Sequence, residues 1–252
     1  MTQQPTVSLF IQCLVDHMYP HVGEAMVNLF DRLDIPVTYP DGQTCCGQPA
    51  FNSGHRQSAR KAALHFLQVF RDSEVIICPS GSCVHMVRHH YPQLFKDEPD
   101  LMQMAERIGD RTYELTEYLV DVLGVTDLGA SFHAKTTYHD SCHLSRSLGI
   151  RRQPRALLSK VAGLELIEME NSDTCCGFGG TFSIHYPEIS TAMVDEKLRT
   201  ILATGAEYVT GCDISCLMHI QGRAQKRNLP VQVVHIAEIL SHQGEADHAG
   251  NK

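Results

Sequence analysis

The stretches Cys45-Cys46-Gly47 and Cys175-Cys176-Gly177-Phe178-Gly179-Gly180 decide how this chain is read. Each has a lone cysteine upstream, Cys13 for the first and Cys142 for the second, with 31 and 32 residues intervening. Each also has two cysteines downstream, Cys78 and Cys83 in one case, Cys212 and Cys216 in the other. The two sets of five use all ten cysteines of the chain. Equivalent cysteines lie 129 residues apart from Cys13 to Cys142, 130 from Cys46 to Cys176 and 133 from Cys83 to Cys216. A period held over that length marks two copies of one structural unit. The units are predicted as residues 1–128 and 129–252, with the junction in Thr126 to Ala134.

A chain of 252 residues with 43% hydrophobic content can bury two cores, one in each copy. A formal charge of −8, with no basic cluster, excludes a sequence-independent nucleic-acid binder, which needs a cationic face to displace counterions. The N-terminal segment lacks the charged start, apolar run and cleavage site of a secretory signal, and no apolar run is long enough to span a bilayer. The expected location is cytoplasmic. In that reducing compartment ten cysteines point to metal binding or redox chemistry rather than to a disulfide framework.

Each copy reads as β-α-β-α-β-α. Strands are predicted at Val7 to Leu14, Ile35 to Tyr39 and Glu74 to Cys78, and again at Lys135 to Asp140, Leu164 to Met169 and Tyr208 to Gly211. Helices are predicted at His21 to Leu33, His55 to Arg71 and Tyr113 to Gly124 in the first copy. In the second they fall at Gln153 to Val161, Pro187 to Ala203 and His235 to Gly244, and a further helix starts near Cys83 or Cys216 in each copy. The segment Pro92 to Gly109 reads as a surface excursion, and the polar tail from Gln243 as disordered. Alternating strands and helices imply an α/β fold of two pseudo-symmetric lobes, each a mainly parallel sheet flanked by helices. Ligands of such sheets sit beyond the carboxyl ends of the strands, where both cysteine sets are expected.

Four or five thiolates at one point repel one another and stay protonated unless a metal centre neutralises them. Zinc and iron-sulfur clusters both satisfy such sites. Gly47 and Gly177, with Gly179 and Gly180, would let the backbone pass close to a cluster and offer N–H groups to it.

These residues resemble the cysteine-rich CCG domain that occurs in duplicate in a heterodisulfide reductase component and in glycolate oxidase iron-sulfur subunits. Within that group the chain is most similar to the lactate-utilisation protein A family. The likeness rests on Tyr138-His139-Asp140-Ser141-Cys142-His143-Leu144, on Cys175 to Ser183, on Pro79-Ser80-Gly81-Ser82-Cys83, on Cys216 to Ile220 and on His235 to Leu240. It runs from about residue 6 to residue 241. The resemblance implies an iron-sulfur oxidoreductase subunit acting in L-lactate oxidation to pyruvate, with an iron-sulfur protein and a LutC-like protein of the lactate-utilisation set as partners. It implies 4Fe-4S clusters of cubane type, or of the non-cubane type that uses five cysteines.

The relatives carry Cys-x2-Cys downstream, whereas Ser80 and Asp213 stand in those positions here. The resemblance therefore carries Cys13, Cys45, Cys46 and Cys83 as one ligand set and Cys142, Cys175, Cys176 and Cys216 as the other, leaving Cys78 and Cys212 as fifth ligands or buried apolar residues. Thiolate ligation alone does not separate iron from zinc, so zinc at one or both sites, and with it a zinc-stapled scaffold, stays open. A thiol-disulfide reductase is a third reading, and the residues do not separate lactate from another 2-hydroxy acid.

His139 and His143 flank Cys142, where they could hydrogen-bond a cluster, move protons or replace a thiolate. Asp140 could cap the loop. Phe51, Phe178, Phe182 and Met218 read as core packing. The glycines lack the GxGxxG spacing of a nucleotide site, and no site for flavin or nicotinamide is recognisable.

Overall fold

The computed structural model describes residues 6–243; the predicted disorder beyond Gln243 lies outside the described residues. The first repeat runs β1 (Val7–Leu9), α1 (Cys13–Met18), α2 (Pro20–Arg32), β2 (Val37–Thr38), α3 (Gln48–Asn52), α4 (Arg56–Val69), β3 (Val75–Cys78), α5 (Gly81–His85), α6 (Tyr91–Leu94), α7 (Pro99–Asp110), β4 (Thr112–Glu114) and α8 (Leu115–Glu117). The second runs β5 (Ser131–Tyr138), α9 (Arg152–Leu158), β6 (Ala162–Leu166), α10 (Phe182–His185), α11 (Pro187–Ala203), β7 (Tyr208–Gly211), α12 (Ile214–Lys226), β8 (Gln232–His235) and α13 (Ile236–Ser241). Helix α2 shows why the pattern folds this way. A proline opens it, and Val22, Ala25, Met26, Leu29 and Phe30 recur at helical spacing as its buried stripe.

Two four-stranded sheets form, ordered β2-β1-β3-β4 and β6-β5-β7-β8, with every pairing parallel. The α/β architecture is as expected, but each repeat has a fourth strand that the β-α-β-α-β-α reading lacked. Strand β4 pairs Ile76 with Thr112 and Cys78 with Glu114, and β8 pairs Val209 with Val233 and Gly211 with His235. Both strands run straight into a capping box, Glu114 with Glu117 and His235 with Glu238, so the following helix begins where the strand ends. The helical pattern hides them. Strand β5 also begins inside the predicted junction, at Ser131.

The order places a topological switch between β1 and β3, and again between β5 and β7, because the chain leaves the central pair in opposite directions there. Three apolar clusters hold the layers together. One joins the repeats, packing Leu29, Phe30 and Leu119 with Leu157, Leu217 and Ile239. The others are local: Phe10, Phe66, Phe70, Tyr91 and Phe95 in the first repeat, and Val194, Leu198, Ile201 and Ile220 in the second. Arg32 ties the repeats further, its guanidinium donating to the carbonyls of Leu128 (2.7 Å), Leu240 (3.3 Å) and Ser241 (2.7 Å). Far from being a surface excursion, most of Pro92 to Gly109 is helix α7, which buries Ala105, Ile108 and Gly109 against the first local core. No helix among the described residues is long and apolar enough to cross a membrane.

Candidate metal centre

Strand β1 stops at Leu9, so Cys13 does not end a strand but opens helix α1, whose first N–H groups are capped by Gln12. Cys83 and Cys216 are the third residues of α5 and α12, behind the N-caps Ser80 and Asp213. Helix starts present partial positive charge, which favours thiolates. The loops after β2 and β6 deliver Cys45-Cys46 and Cys175-Cys176 to the same points. All eight line one cavity of about 110 Å³ between the repeats, beyond both switch points. Two sites expected in separate lobes therefore face one another.

Within each set the thiols lean on one another. The Sγ atoms of Cys46 and Cys83 are 3.5 Å apart. Hydrogen bonds from Cys13 and Cys46 hold Cys45 far below the usual thiol range, and those from Cys142 and Cys176 do the same for Cys175. The donors Cys13, Cys46, Cys142 and Cys176 are pushed up in return. The N–H groups of Gly47 and Gly177 reach Cys45 and Cys175 Sγ at 3.4 Å each. A cation that took these thiols as thiolates would displace the shared protons.

The two remaining cysteines are not equivalent. Phe10 N–H donates to Ile77 O (2.9 Å) as His139 N–H donates to Thr210 O (2.8 Å), so Cys78, which follows Ile77, corresponds to Gly211, which follows Thr210. Cys78 is fully buried and close enough to Cys83 to help hold that thiol down. Cys212 turns away from its set. Its Sγ lies 3.2 Å from Tyr138 Oη in the shared core, and burial, with Glu114 beside it, pushes it well up.

The glycines of the CCG loops offer N–H groups to the thiols as expected, and they also meet a steric need. Gly47 and Gly177 have φ of +83° and +87°, and a Cβ on either would run into the helix behind it, Ala62 and Ala59 for the first, Ser190 and Met193 for the second. Gly179 and Gly180 do line the cavity, as does Phe178. Phe51 and Phe182 are only half-buried, and Met218 is too; Phe51 stacks on His90, with centroids 4.2 Å apart, under the Arg56 guanidinium.

His139 is 1% exposed, and its ring finds no oxygen or nitrogen partner among the described residues, only the Cys216 thiol, which it helps hold down. A ring nitrogen and the Sγ atoms of Cys176 and Cys216 all lie within 4.8 Å of one another. His143 is half-buried, with Nδ1 3.8 Å from Cys142 Sγ. Asp140 does more than cap a turn: Arg155 clasps its carboxylate at 3.0 and 2.7 Å, and Ser172 donates at 2.7 Å.

Sequence reasoning missed the bridge that closes the cavity. The buried Asp213 carboxylate accepts from Ser80 Oγ (2.7 Å), from Ser82 N–H (3.1 Å) and from Ser141 Oγ, binding the two repeats at the positions where a Cys-x2-Cys motif would begin. The departure from that motif was its only signal. His85 was missed as well: its ring lies 5.1 Å from that of His143, and burial, with the nearby histidines, lowers it to about 4.

The cysteine-rich CCG domain matches residues 7–88 and 136–221, which cover both sets. Lactate utilization protein A of Exiguobacterium sp. is 51% identical over 239 residues, 94% of this chain and 97% of that protein. Lactate utilization protein A of Bacillus subtilis is 50% identical over 235 residues, 93% of this chain and 98% of its own. With two matched CCG domains and half of its residues shared with these relatives, the chain belongs to the lactate utilization protein A family.

Proposed function

We propose that this chain is the iron-sulfur subunit of a cytoplasmic system that oxidises L-lactate to pyruvate, and that it carries electrons through two cysteine-bound clusters. Cys13, Cys45, Cys46 and Cys83 would hold one, and Cys142, Cys175, Cys176 and Cys216 the other. The observation that carries this reading is the convergence of eight thiols on one cavity at the two switch points. The donor chemistry fits, since thiols already sharing protons are poised to become thiolates around a cation. Lactate oxidation releases two electrons and two protons, and each bound cluster would supply a one-electron carrier.

The chain's own residues support that work. Gly47 and Gly177 aim N–H groups at Cys45 and Cys175, which stabilises negative sulfur. Phe178 covers part of the cavity wall, and the Asp213 bridge fixes the spacing between the sets. Lactate as substrate follows from the relatives' names. The iron-sulfur and LutC-like proteins of that system are the proposed partners.

Anaerobic purification with iron, sulfide and zinc analysis tests the reading. A brown protein with an EPR signal on reduction or oxidation is expected, together with loss of growth on L-lactate when the gene is deleted. A colourless protein with stoichiometric zinc would sink the redox role in favour of a stapled scaffold.

A further inference from the structure

The two cysteine sets are built on one plan with one exchange between them. In the first repeat β1 is followed by Phe10 and β3 ends in Cys78; in the second the matching positions hold His139 and Gly211, an equivalence fixed by the pair of backbone bonds onto Ile77 and Thr210. Phe10 is committed to packing. Its ring lies edge-on against Phe66 (4.8 Å between centroids) and Phe70 (5.6 Å), deep in the local core. His139 takes the same backbone place with a ring that has two polar nitrogens, is 1% exposed and finds no oxygen or nitrogen partner among the described residues, its one polar contact being the Cys216 thiol. A buried polar ring with only sulfur to meet is unusual in a native core and points to the group it faces. What it faces is the pair Cys176 and Cys216, with one ring nitrogen and both sulfurs within 4.8 Å of one another.

Gly211 completes the exchange. A Cβ there would sit tight against the backbone carbonyl of His139, at 3.1 Å, and in ordinary contact with Leu217 and with His139 Cβ, and this position, which holds the Cys78 thiol in the first repeat, brings no sulfur in the second. One repeat brings a thiol from β3; the other clears that place and brings an imidazole from the end of β5.

We propose that each cluster takes a fifth ligand, Cys78 in the first and His139 in the corresponding role in the second, so that one centre is all-thiolate and the other joins Cys142, Cys175, Cys176 and Cys216 with an imidazole. The proposal rests on the iron-sulfur reading above. A neutral imidazole in place of a thiolate removes one negative charge from the centre and raises its reduction potential, as it does where histidine replaces cysteine in other iron-sulfur proteins. The second centre is therefore the easier of the two to reduce.

The test uses the full chain, purified anaerobically and labelled with nitrogen-15 in histidine only, and reads nitrogen couplings to the paramagnetic cluster by pulsed EPR beside iron analysis and a redox titration. A strong histidine coupling is expected in the wild type. It should persist in His143→Ala and vanish in His139→Ala. The paired exchange His139→Phe with Gly211→Cys rebuilds the first repeat's pattern. It should keep its iron, lose the coupling and shift the more positive midpoint potential downward. Iron-loaded wild type without a strong histidine coupling, or a coupling that survives in His139→Ala or the paired variant, would overturn the ligand assignment and leave the iron-sulfur reading standing. A chain that holds no iron would overturn that reading and this assignment together.

Discussion

Replacing Asp213 should separate the two repeats more than any other single polar change at the cavity. The carboxylate is 2% exposed and accepts from Ser80 Oγ at 2.7 Å and Ser82 N–H at 3.1 Å, both in the first repeat, and from Ser141 Oγ in its own. Asp213→Ala removes three charge-assisted bonds and strands the Ser82 N–H, while the two hydroxyls can turn to other acceptors. Leaving a buried donor without its acceptor costs about 1–3 kcal/mol, and the upper part of that range is expected here. Asp213→Asn keeps an oxygen facing Ser80 and Ser82, and the Ser141 hydroxyl can rotate to accept from the amide. Only the charge assistance is lost, at about 1–2 kcal/mol. Equilibrium urea unfolding under anaerobic, reducing conditions on the metal-free chain measures both. If the alanine variant stays within about 1 kcal/mol of wild type, or the asparagine variant costs as much as alanine, the bridge is not what joins the repeats at this point.

Cys212→Ala should leave the iron and sulfide content unchanged because that thiol faces Tyr138, whereas Cys78→Ala should lower it; matched cluster analysis of the two variants decides. Gly177→Ala should destabilise the fold by about 3 kcal/mol, since it adds a clash with the immobile Ser190 carbonyl at 2.8 Å to left-handed strain, and Gly47→Ala by about 1–2 kcal/mol, its nearest neighbour being the Ala62 methyl at 3.0 Å; thermal denaturation ranks them. Burial alone would raise the Asp140 carboxyl, but the Arg155 clasp and Ser172 outweigh it and hold it below the ordinary range. Its stabilising contribution is therefore complete above the unfolded value of about 3.9 and is lost as the pH falls through that value toward the folded one. Asp140→Asn should flatten that acid limb in a stability-versus-pH series, and an unchanged limb would count against the clasp.

Much of this architecture is legible in the chain because local and long-range signals agree. Helices α2 and α11 each open on a proline, α2 also carries a long apolar stripe, and the bounds of α11 and β7 coincide with those read from sequence. Strands β4 and β8 escape because three or four residues that lead into a capping box share their pattern with the helix they feed. The cysteines are visible as sets, but their meeting in one cavity depends on how the joint core orients the sheets, which no local pattern encodes. The inequivalence of Cys78 and Cys212 was written in their spacing, with four residues intervening before Cys83 against three before Cys216. Only the strand register shows what that extra residue means.

The joint core also bears on how this chain could have come apart or changed over time. Leu29, Phe30 and Leu119 share their core cluster with residues of the other repeat, and Arg32 finds its acceptors on residues of the segment 128–241. Neither half could return to life as a free-standing unit without exposing that apolar face to water. The doubling works as a ratchet: once the halves share an interior, drift at the seam must be answered on the opposite side. Phe10 and Cys78 sit in the first repeat's own core and not in that shared interior, and at the matching places, His139 and Gly211, the two copies have become different instruments.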